Sequence, residues 1–372
     1  MESMELAQKD LFGGVFRNKR VLVTGHTGFK GSWLSMWLDA LGAKVIGYAL
    51  PPASDYGNFV LCGLKDKLTD LRGDVCDRKR LAEIFDVFQP EIVFHLAAQP
   101  IVRKSYRVPA ETFETNVMGC VNLLENVRKT GSVRSCVIVT SDKCYENREQ
   151  IWGYRESDAM GGYDPYSASK GCAELVASAY RRSFSMPVAT ARAGNVIGGG
   201  DWSEDRLLPD CIRSLRKGEP VGVRNPDAVR PWQFVLEPLY GYLLLAAGLL
   251  SDPQKTAEAW NFGPCGGSLA SVGEVADAVI GLWGDGSWED LSDPDSDHEA
   301  SFLNLDCTKA NALLGWFPQL SLKESLGMTM EWYRGFERPD VSALCLGQIR
   351  DYTARVEESR GKQSGEKGDR AG

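Results

Sequence analysis

The residues of this sequence with the most evident chemistry lie in two short segments, one after a strand and one on a helix. Ser141, Asp142 and Lys143 follow the apolar segment SCVIV and offer a hydroxyl, an acid and an amine side by side. Tyr166 and Lys170 are four residues apart, so on a helix they share one face. A neighbouring ammonium favours the phenolate and lowers the pKa of a tyrosine, so this pair can take a proton from an alcohol.

A glycine-rich turn near the beginning of the chain predicts a place for a dinucleotide. Gly25, Gly28 and Gly31 separate the apolar segment RVLVT from the helical segment SWLSMWLDALG, in the spacing G-x-x-G-x-x-G. Such glycines allow a tight turn, a close approach of the backbone to a pyrophosphate and close packing of helix against strand. Free amides at the helix N-terminus then face the phosphates. We therefore predict NAD as cofactor, with further contacts from Thr27, Phe29 and Lys30.

The adenosine side of this predicted site departs from the usual pattern. Dinucleotide folds place an acid at the end of the second strand to hold the ribose, whereas this strand ends in GYALPP, with Asp55 as the nearest acid. Either another group holds the ribose, or adenosine is held loosely; a low-nanomolar dissociation constant for NAD would contradict the second interpretation. Asp74, with Val75 beside it, is a candidate for the adenine amino group, and its alternative role is a turn or helix cap.

The surrounding elements predict an α/β, Rossmann-type fold. Apolar segments alternate with helical patterns around 78–88, 109–130 and 166–184, and the predicted strands are 20–24, 44–50, 91–98, 135–141 and 187–194. Continuous apolar strands that alternate with helices indicate a doubly wound parallel sheet covered on both faces. The Ser-Asp-Lys segment then lies at the carboxyl edge of the sheet, where open α/β sheets bind ligands.

The domain organisation follows from a change of pattern near residue 196. We predict an NAD-binding Rossmann domain over residues 15–195, which includes the Tyr-Lys helix. Residues 196–345, rich in Gly, Pro and Trp, are predicted to form a smaller mixed α/β substrate-binding region interleaved with the sheet. Residues 356–372 are polar and predict a disordered tail.

Composition excludes several classes of function. The net charge of -8 argues against nucleic-acid binding, because little here would neutralise a run of phosphates. Ten scattered cysteines and three distant histidines show no metal-ligand spacing, so we predict no metal site. Unpaired thiols, a polar N-terminus without signal-peptide features and no apolar segment longer than 239–250 predict a cytoplasmic protein that does not cross a membrane.

Five segments together resemble the CDP-glucose 4,6-dehydratase family, a group of extended short-chain dehydrogenases/reductases. They are GHTGFKGSWL, AAQPIVRKSY, TSDKCYENRE, GYDPYSASKGCAELVASAY and RAGNVIGGGDW, and the resemblance extends from about residue 15 to about residue 335. Sister enzymes that act on dTDP-glucose share the aspartate but carry Glu where this chain has Lys143. The nucleobase is indicated by this resemblance and by no single residue.

The resemblance implies an NAD-dependent conversion of CDP-glucose to CDP-4-keto-6-deoxyglucose, an early step of deoxysugar biosynthesis such as lipopolysaccharide requires. Tyr166, supported by Lys170 and Ser141, deprotonates the carbon 4 hydroxyl while hydride passes to NAD. Lys143 removes the carbon 5 proton, and protonated Asp142 protonates the departing carbon 6 hydroxyl, although which of the two is acid and which is base stays open. Hydride then returns to carbon 6.

Further contacts are implied by the same resemblance. Near the nicotinamide ribose it places Leu96, Ala97 and Ala98. Arginine binds phosphate through two parallel hydrogen bonds, and the implied contacts to the nucleotide sugar are Gln99, Asn195, Arg206, Arg230 and Glu299. The helices at 109–130 and 166–184 are those through which relatives form homodimers.

Other functions stay open at this stage. A 4-epimerase or a dehydratase for a dTDP-, GDP- or UDP-sugar is the alternative within the class, but an epimerase would not need Asp142 and Lys143. A non-catalytic NAD-binding regulator is the alternative from another class, because folds of this kind are reused for sensing. Such a regulator would be free to lose Tyr166 or Lys170, and both are present.

Overall fold

A computed structural model describes residues 11–264, 269–293 and 300–369, with side chains up to residue 362. The strands are β1 (Arg20–Thr24), β2 (Lys44–Ala49), β3 (Thr69–Arg72), β4 (Ile92–His95), β5 (Ser135–Val139), β6 (Val188–Ala193), β7 (Val196–Ile197), β8 (Val221–Val223), β9 (Val229–Pro231), β10 (Gln233–Phe234), β11 (Ala259–Phe262), β12 (Leu269–Ser271) and β13 (Trp288–Asp290).

The helices surround and follow these strands. They are α1 (Phe29–Ala40), α2 (Asn58–Leu61), α3 (Arg78–Phe88), α4 (Val102–Arg107), α5 (Pro109–Phe113), α6 (Gly119–Lys129), α7 (Pro165–Phe184), α8 (Leu207–Lys217), α9 (Leu236–Ser251), α10 (Pro253–Thr256), α11 (Val272–Trp283), α12 (Thr308–Leu314), α13 (Leu322–Gly335) and α14 (Val341–Asp369). Within the described ranges, none of them has both the length and the hydrophobicity needed to cross a membrane.

The central sheet has seven parallel strands in the order β11-β6-β5-β4-β1-β2-β3. Chain order reverses between β1 and β4, which creates the crevice where doubly wound sheets bind ligands. The predicted α/β, Rossmann-type fold is therefore confirmed. Strand β11 was not predicted, because its sequence AWNF is short and lacks a β-branched residue.

Two helices match the sequence pattern closely. Helix α1 ends at Ala40, and Gly42 beyond it has φ +78, as expected of the residue that stops a helix. The predicted helix 109–130 is a continuous helical run that contains a π turn at Glu114–Met118 between α5 and α6. The π turn contains Asn116, whose amide donates to Ser169 Oγ on α7 at 2.8 Å.

The region after residue 196 contains three two-stranded sheets, which pair β7 with β10, β9 with β12 and β8 with β13. However, α9 packs against β5 and β6, and β11 adds to the edge of the main sheet. Residues from this half of the chain thus complete the Rossmann sheet. The boundary at 195/196 stays a proposal.

The predicted disordered tail is corrected by the structure, since α14 continues to Asp369. Tyr352 and Val356, one helical turn apart, are each 1% exposed and belong to the main core. Arg360 donates to the carbonyl of Leu11 at 2.8 Å. The apolar stripe on the core ends at Val356, and the helix continues from it through the polar segment, which composition alone did not indicate.

Candidate active site

The Ser-Asp-Lys segment leaves the buried strand β5 and forms a 3-10 helix, Asp142–Cys144. The Ser141 hydroxyl donates to Asp142 Oδ1 at 2.9 Å and accepts from the Lys143 amide at 3.2 Å. Ser141 therefore caps the turn and keeps the Asp142 carboxyl beside it. Asp142 is buried, whereas Lys143 is half-buried.

Helix α7 presents the tyrosine and the lysine to the end of β5. Asp164 caps its first turn by accepting from the Ser167 amide at 2.9 Å, and Pro165 occupies the first helical position. Lys170 Nζ donates to the carbonyl of Val139 at 3.3 Å and lies 6.0 Å from the centre of the Tyr166 ring. Both side chains are buried.

Burial dominates the ionisation of the pair. It raises the pKa of Tyr166 to about 12, although hydrogen bonding with Ser141 and the charge of Arg206 act in the opposite direction. Burial also lowers the pKa of Lys170 to about 8. Among the protein's own groups, the loss of water around the phenol outweighs the favourable charges. The predicted lowering of the tyrosine pKa also depends on a cationic nicotinamide ring and stays a prediction.

Asp142 has the environment of a proton donor. Burial raises its pKa, although Lys143, Ser141 and Arg230 oppose the shift. Its Oδ2 atom is buried without a hydrogen-bond partner in the described structure. Such a carboxyl keeps its proton to a higher pH than one in water, so it can protonate a leaving hydroxyl.

These groups line one cavity of about 240 Å³ above the carboxyl edge of the sheet. Six basic and four acidic side chains border it, so it suits an anionic ligand. Of the residues predicted from sequence, the cavity is lined by Ser141, Asp142, Lys143, Tyr166, Lys30, Asn195, Arg206 and Arg230. Lys170 lies behind Tyr166.

The two arginines predicted to bind phosphate have different partners in the protein, a carboxylate for Arg206 and backbone carbonyls for Arg230. Arg206 Nη1 is 3.0 Å from Asp201 Oδ2. Arg230 is 3% exposed and donates to the carbonyls of Val229 and Ser301 at 3.0 and 3.3 Å. Both guanidinium groups are thus oriented by the protein at the cavity wall, which lowers the entropy lost when an anion binds.

Gln99, predicted as a substrate contact, has a side chain that hydrogen-bonds within the protein, so contact with the substrate stays a prediction. Its amide nitrogen donates to the Ile101 carbonyl and Thr112 Oγ1, at 3.1 and 3.0 Å, and its oxygen accepts from the Ile101 amide at 2.7 Å. It is 5% exposed and is not part of the cavity wall. Its hydrogen-bonding capacity is used to shape the loop after β4. Glu299 lies outside the described residues.

Sequence reasoning missed two basic side chains of the cavity, Arg103 and Arg224. Arg224 is held by Asp205, with 2.5 Å between Nη1 and Oδ1. Arg103 lies in AAQPIVRKSY, a segment whose resemblance could have indicated it. Lys30 was predicted at the cofactor but its side chain also lines the cavity; burial, followed by the charge of Arg206, lowers its pKa to about 7.

The glycine turn has the shape of a phosphate cradle. Gly25 has φ +76, and a Cβ there would lie 2.8 Å from the Ala97 amide nitrogen. A Cβ on Gly31 would lie 2.1 Å from the Gly25 carbonyl oxygen, so no other residue fits. No side chain caps the N-terminus of α1, and Gly28 before it is exposed. This cradle fits the pyrophosphate of NAD, with Leu96, Ala97 and Ala98 beside it.

Two acids on the adenosine side, Asp70 and Asp74, already have hydrogen-bond partners within the protein. Asp70 on β3 lies 2.8 Å from His26 Nε2 and 2.8 Å from Arg72 Nη2. Asp74 Oδ1 accepts from the Cys76 amide at 2.9 Å, which is the turn that sequence offered as the alternative role. Asp74 is exposed and Val75 is buried. Contacts of either residue with adenine stay a proposal.

Metal binding has no support in the described part of the chain, where no group of three His, Cys, Asp or Glu side chains could hold an ion.

Known proteins with related sequences act on nucleotide sugars. The family model of GDP-mannose 4,6 dehydratase matches residues 22–329. CDP-glucose 4,6-dehydratase of Salmonella typhimurium is 50% identical, over 91% of this chain and 97% of its own. dTDP-glucose 4,6-dehydratase of Haemophilus influenzae is 26% identical, over 84% and 97%.

Solved structures show the same architecture. A dTDP-glucose 4,6-dehydratase from Streptomyces venezuelae, with NAD bound, has a TM-score of 0.75 and 27% identity, over 85% of this chain and 98% of its own. UDP-glucose 4-epimerase of Thermus thermophilus, in complex with NAD, has a TM-score of 0.73 and 26% identity, over 85% and 99%.

Proposed function

Because this chain belongs to the GDP-mannose 4,6-dehydratase family of short-chain dehydrogenases/reductases, we propose that it catalyses the NAD-dependent dehydration of CDP-glucose to CDP-4-keto-6-deoxyglucose. The reaction is that of a hydro-lyase. One observation carries the proposal: a buried carboxyl with a raised pKa, that of Asp142, lies on the wall shared with Tyr166 and Lys143.

The first proton transfer is assigned to Tyr166. NAD, when bound in the glycine cradle, supplies a hydride acceptor and a positive charge that opposes the effect of burial on the phenol. Tyr166 accepts the proton of the carbon 4 hydroxyl, and Ser141 orients that hydroxyl. Lys170 keeps its charge beside the ring, which favours the phenolate.

The elimination is assigned to the neighbouring pair. Once carbon 4 is a ketone, the hydrogen on carbon 5 becomes acidic, and Lys143 removes it. Asp142, whose pKa is raised by burial, donates a proton to the carbon 6 hydroxyl, and water leaves. The product would then need a hydride at carbon 6, which the reduced cofactor would supply, and a proton at carbon 5, which protonated Lys143 would return.

The diphosphate is assigned to the basic wall of the cavity. Arg206 and Arg230 are pre-oriented. The choice of cytosine rests on the 50% identity with the Salmonella enzyme, because no described contact discriminates the base. Relatives at this similarity support CDP-glucose over the epimerase and the regulator.

A panel of nucleotide sugars tests the proposal. The protein is incubated with NAD and with CDP-, dTDP-, UDP- or GDP-sugars, and the alkali-induced chromophore of a 4-keto-6-deoxy sugar is measured. We expect a signal with CDP-glucose that exceeds the signal with any other donor. A stronger signal with another donor would identify a different dehydratase, and none with any donor would favour the regulator.

We also propose a cytoplasmic homodimer that acts early in deoxysugar biosynthesis, for a polysaccharide such as lipopolysaccharide. The proposed dimer interface consists of the helical run from α5 to α6 and of helix α7. Its support is the set of exposed apolar side chains on these helices, which are Phe113, Met118, Leu175 and Phe184.

A further inference from the structure

A buried ion pair lies directly behind the catalytic groups. Glu174 is on α7, one turn after Lys170 and two turns after Tyr166. Its Oε2 atom is 2.7 Å from Arg192 Nη2 on β6, and the two side chains are only 3% and 4% exposed. None of the proposed chemical steps uses this pair, and neither residue lines the cavity.

Glu174 also accepts hydrogen bonds from two threonine hydroxyls, one just after β5 and one within β6. Thr140 Oγ1 donates to its Oε1 at 2.5 Å, and Thr190 Oγ1 on β6 donates to its Oε2 at 2.7 Å. Thr140 immediately precedes Ser141. The carboxylate thus connects the helix that carries Tyr166 and Lys170 to the residue next to the catalytic serine.

Arg192 holds the other end of the catalytic turn. Its Nη1 donates to the Tyr145 hydroxyl at 2.7 Å, and that hydroxyl donates to Asn261 Oδ1 on β11 at 2.7 Å. Tyr145 follows the 3-10 helix Asp142–Cys144 directly. Both ends of the Ser-Asp-Lys segment are therefore tied to one buried charge pair.

Stability alone is a poor explanation of this arrangement. Taking two charges out of water costs free energy that their attraction often only offsets, and well-packed apolar residues of similar volume are frequently as stabilising. What apolar residues cannot do is fix direction, because hydrogen bonds specify geometry and hydrophobic contacts do not. A positioning role accounts for the network better than a stabilising one.

We propose that Glu174 is a positioning residue which, together with Arg192, sets the register of α7 against β5 and thereby aims Tyr166 and Lys170 at the Ser-Asp-Lys turn. The inference rests on the proposed dehydratase function. It adds an electrostatic role, because the Glu174 carboxylate favours the charged form of Lys170, against the burial that disfavours it.

Two variants of Glu174 test the proposal. Glu174→Gln keeps the size of the side chain but removes its charge. Glu174→Asp keeps the charge on a side chain that is one methylene shorter. We expect kcat for CDP-glucose to fall about 100-fold in the first, with KM changed less than threefold, because a misplacement of about 1 Å costs that much. The alkaline limb of the kcat profile moves to lower pH in Glu174→Gln, since Lys170 loses its proton earlier, and stays in place in Glu174→Asp.

Glu237→Gln is the matched control. Glu237 is an equally buried carboxylate with hydrogen-bond partners, but it lies outside the cavity wall. We expect this variant to keep the wild-type kcat and pH profile. An equal loss of kcat in Glu237→Gln, or a wild-type kcat and alkaline limb in Glu174→Gln, would overturn the positioning role.

A further variant keeps the test decisive if Glu174→Gln does not fold. The double variant Glu174→Leu with Arg192→Met replaces both charges, so it leaves no unpaired buried ion. We expect it to fold, to lose kcat about 100-fold, and to show in a crystal structure a Tyr166 phenol displaced by about 1 Å from Ser141. An undisplaced phenol contradicts the inference. This structural readout needs no substrate, so it separates the inference from a failure of the proposed function.

Discussion

Asp142 shows how position gives a residue its chemistry. In water its carboxyl would be ionised at neutral pH, and three neighbouring groups favour that ionised form. Burial outweighs them and raises the pKa of the carboxyl. The same loss of water acts in the opposite sense on Lys170, whose pKa it lowers to about 8. Burial therefore favours the neutral form of both side chains, which suits Asp142 to donate a proton in the elimination, whereas Lys170 supports Tyr166.

Asp142→Asn is expected to separate oxidation from dehydration. The amide cannot donate the proton that carbon 6 needs, so formation of the keto-deoxysugar should fall by about 10²- to 10⁴-fold. Oxidation at carbon 4 should survive, and absorbance at 340 nm should rise in single-turnover experiments with NAD and CDP-glucose.

Asp205→Asn serves as the control for that experiment. Asp205 also lines the cavity but is paired with Arg224, so its removal should change KM more than kcat. Dehydration at the wild-type rate in Asp142→Asn would refute the assignment of Asp142 as the acid.

At the scale of elements, one buried carboxyl connects α9 to the C-terminal helix. Glu237 Oε2 accepts from the Tyr352 hydroxyl of α14 at 2.6 Å, and Oε1 accepts from the amides of Gln319 and Leu320, both at 2.8 Å. Burial raises the pKa of Glu237 to about 7, despite these hydrogen bonds. The docking of α14 is therefore linked to pH.

The sign of this linkage gives a stability prediction. The folded pKa of about 7 exceeds the ordinary value of 4.5, so the stabilisation is complete below the unfolded pKa and is lost as pH rises through 7. Glu237→Gln imitates the protonated carboxyl and does not titrate. We expect urea unfolding to show a stability near wild type at pH 5 and up to roughly 3 kcal/mol above wild type at pH 8.

Glu324 provides a control, because its pKa is shifted in the opposite direction to that of Glu237. Its hydrogen bond with Arg355 lowers its pKa to about 2, so Glu324→Gln should be less stable than wild type at both pH values. A Glu237→Gln variant that is less stable than wild type at pH 8 would show that the charged carboxylate stabilises α14.

At the scale of the whole molecule, four exposed apolar side chains lie on the helical run α5 to α6 and on α7. They are Phe113, Met118, Leu175 and Phe184, which are 37%, 47%, 60% and 52% exposed. Exposed apolar side chains on these helices are the feature that supports a surface covered by another protein. In the proposed homodimer that partner is a second copy of the chain.

Leu175→Glu tests the dimer. A charge in the centre of an apolar interface is left without a partner, so we expect the variant to elute as a monomer in size-exclusion chromatography with light scattering. Leu313→Glu, at a position 69% exposed on α12, should leave the oligomeric state unchanged. A wild-type protein that is monomeric at micromolar concentration contradicts the proposal directly.

Much of the architecture could be predicted from the sequence, because its signals are local. Apolar strands, the glycine spacing and the Tyr-x-x-x-Lys helix each lie within a few consecutive residues, and the parallel sheet follows from their alternation. The same segments carried the resemblance that predicted the family. The expected reasons, a tight turn at Gly25 and close packing at Gly31, agree with the positive φ of Gly25 and with the short contacts of a Cβ built on Gly31.

Other properties arise between residues that are far apart in the chain. The partners of Gln99, the place of Arg224 in the cavity and the packing of α14 depend on which distant segments meet. The pKa directions of Tyr166 and Asp142 depend on how much water the fold removes, which no sequence pattern reports. Secondary structure and local motifs depend mainly on neighbouring residues, whereas burial and charge environment are properties of the assembled fold.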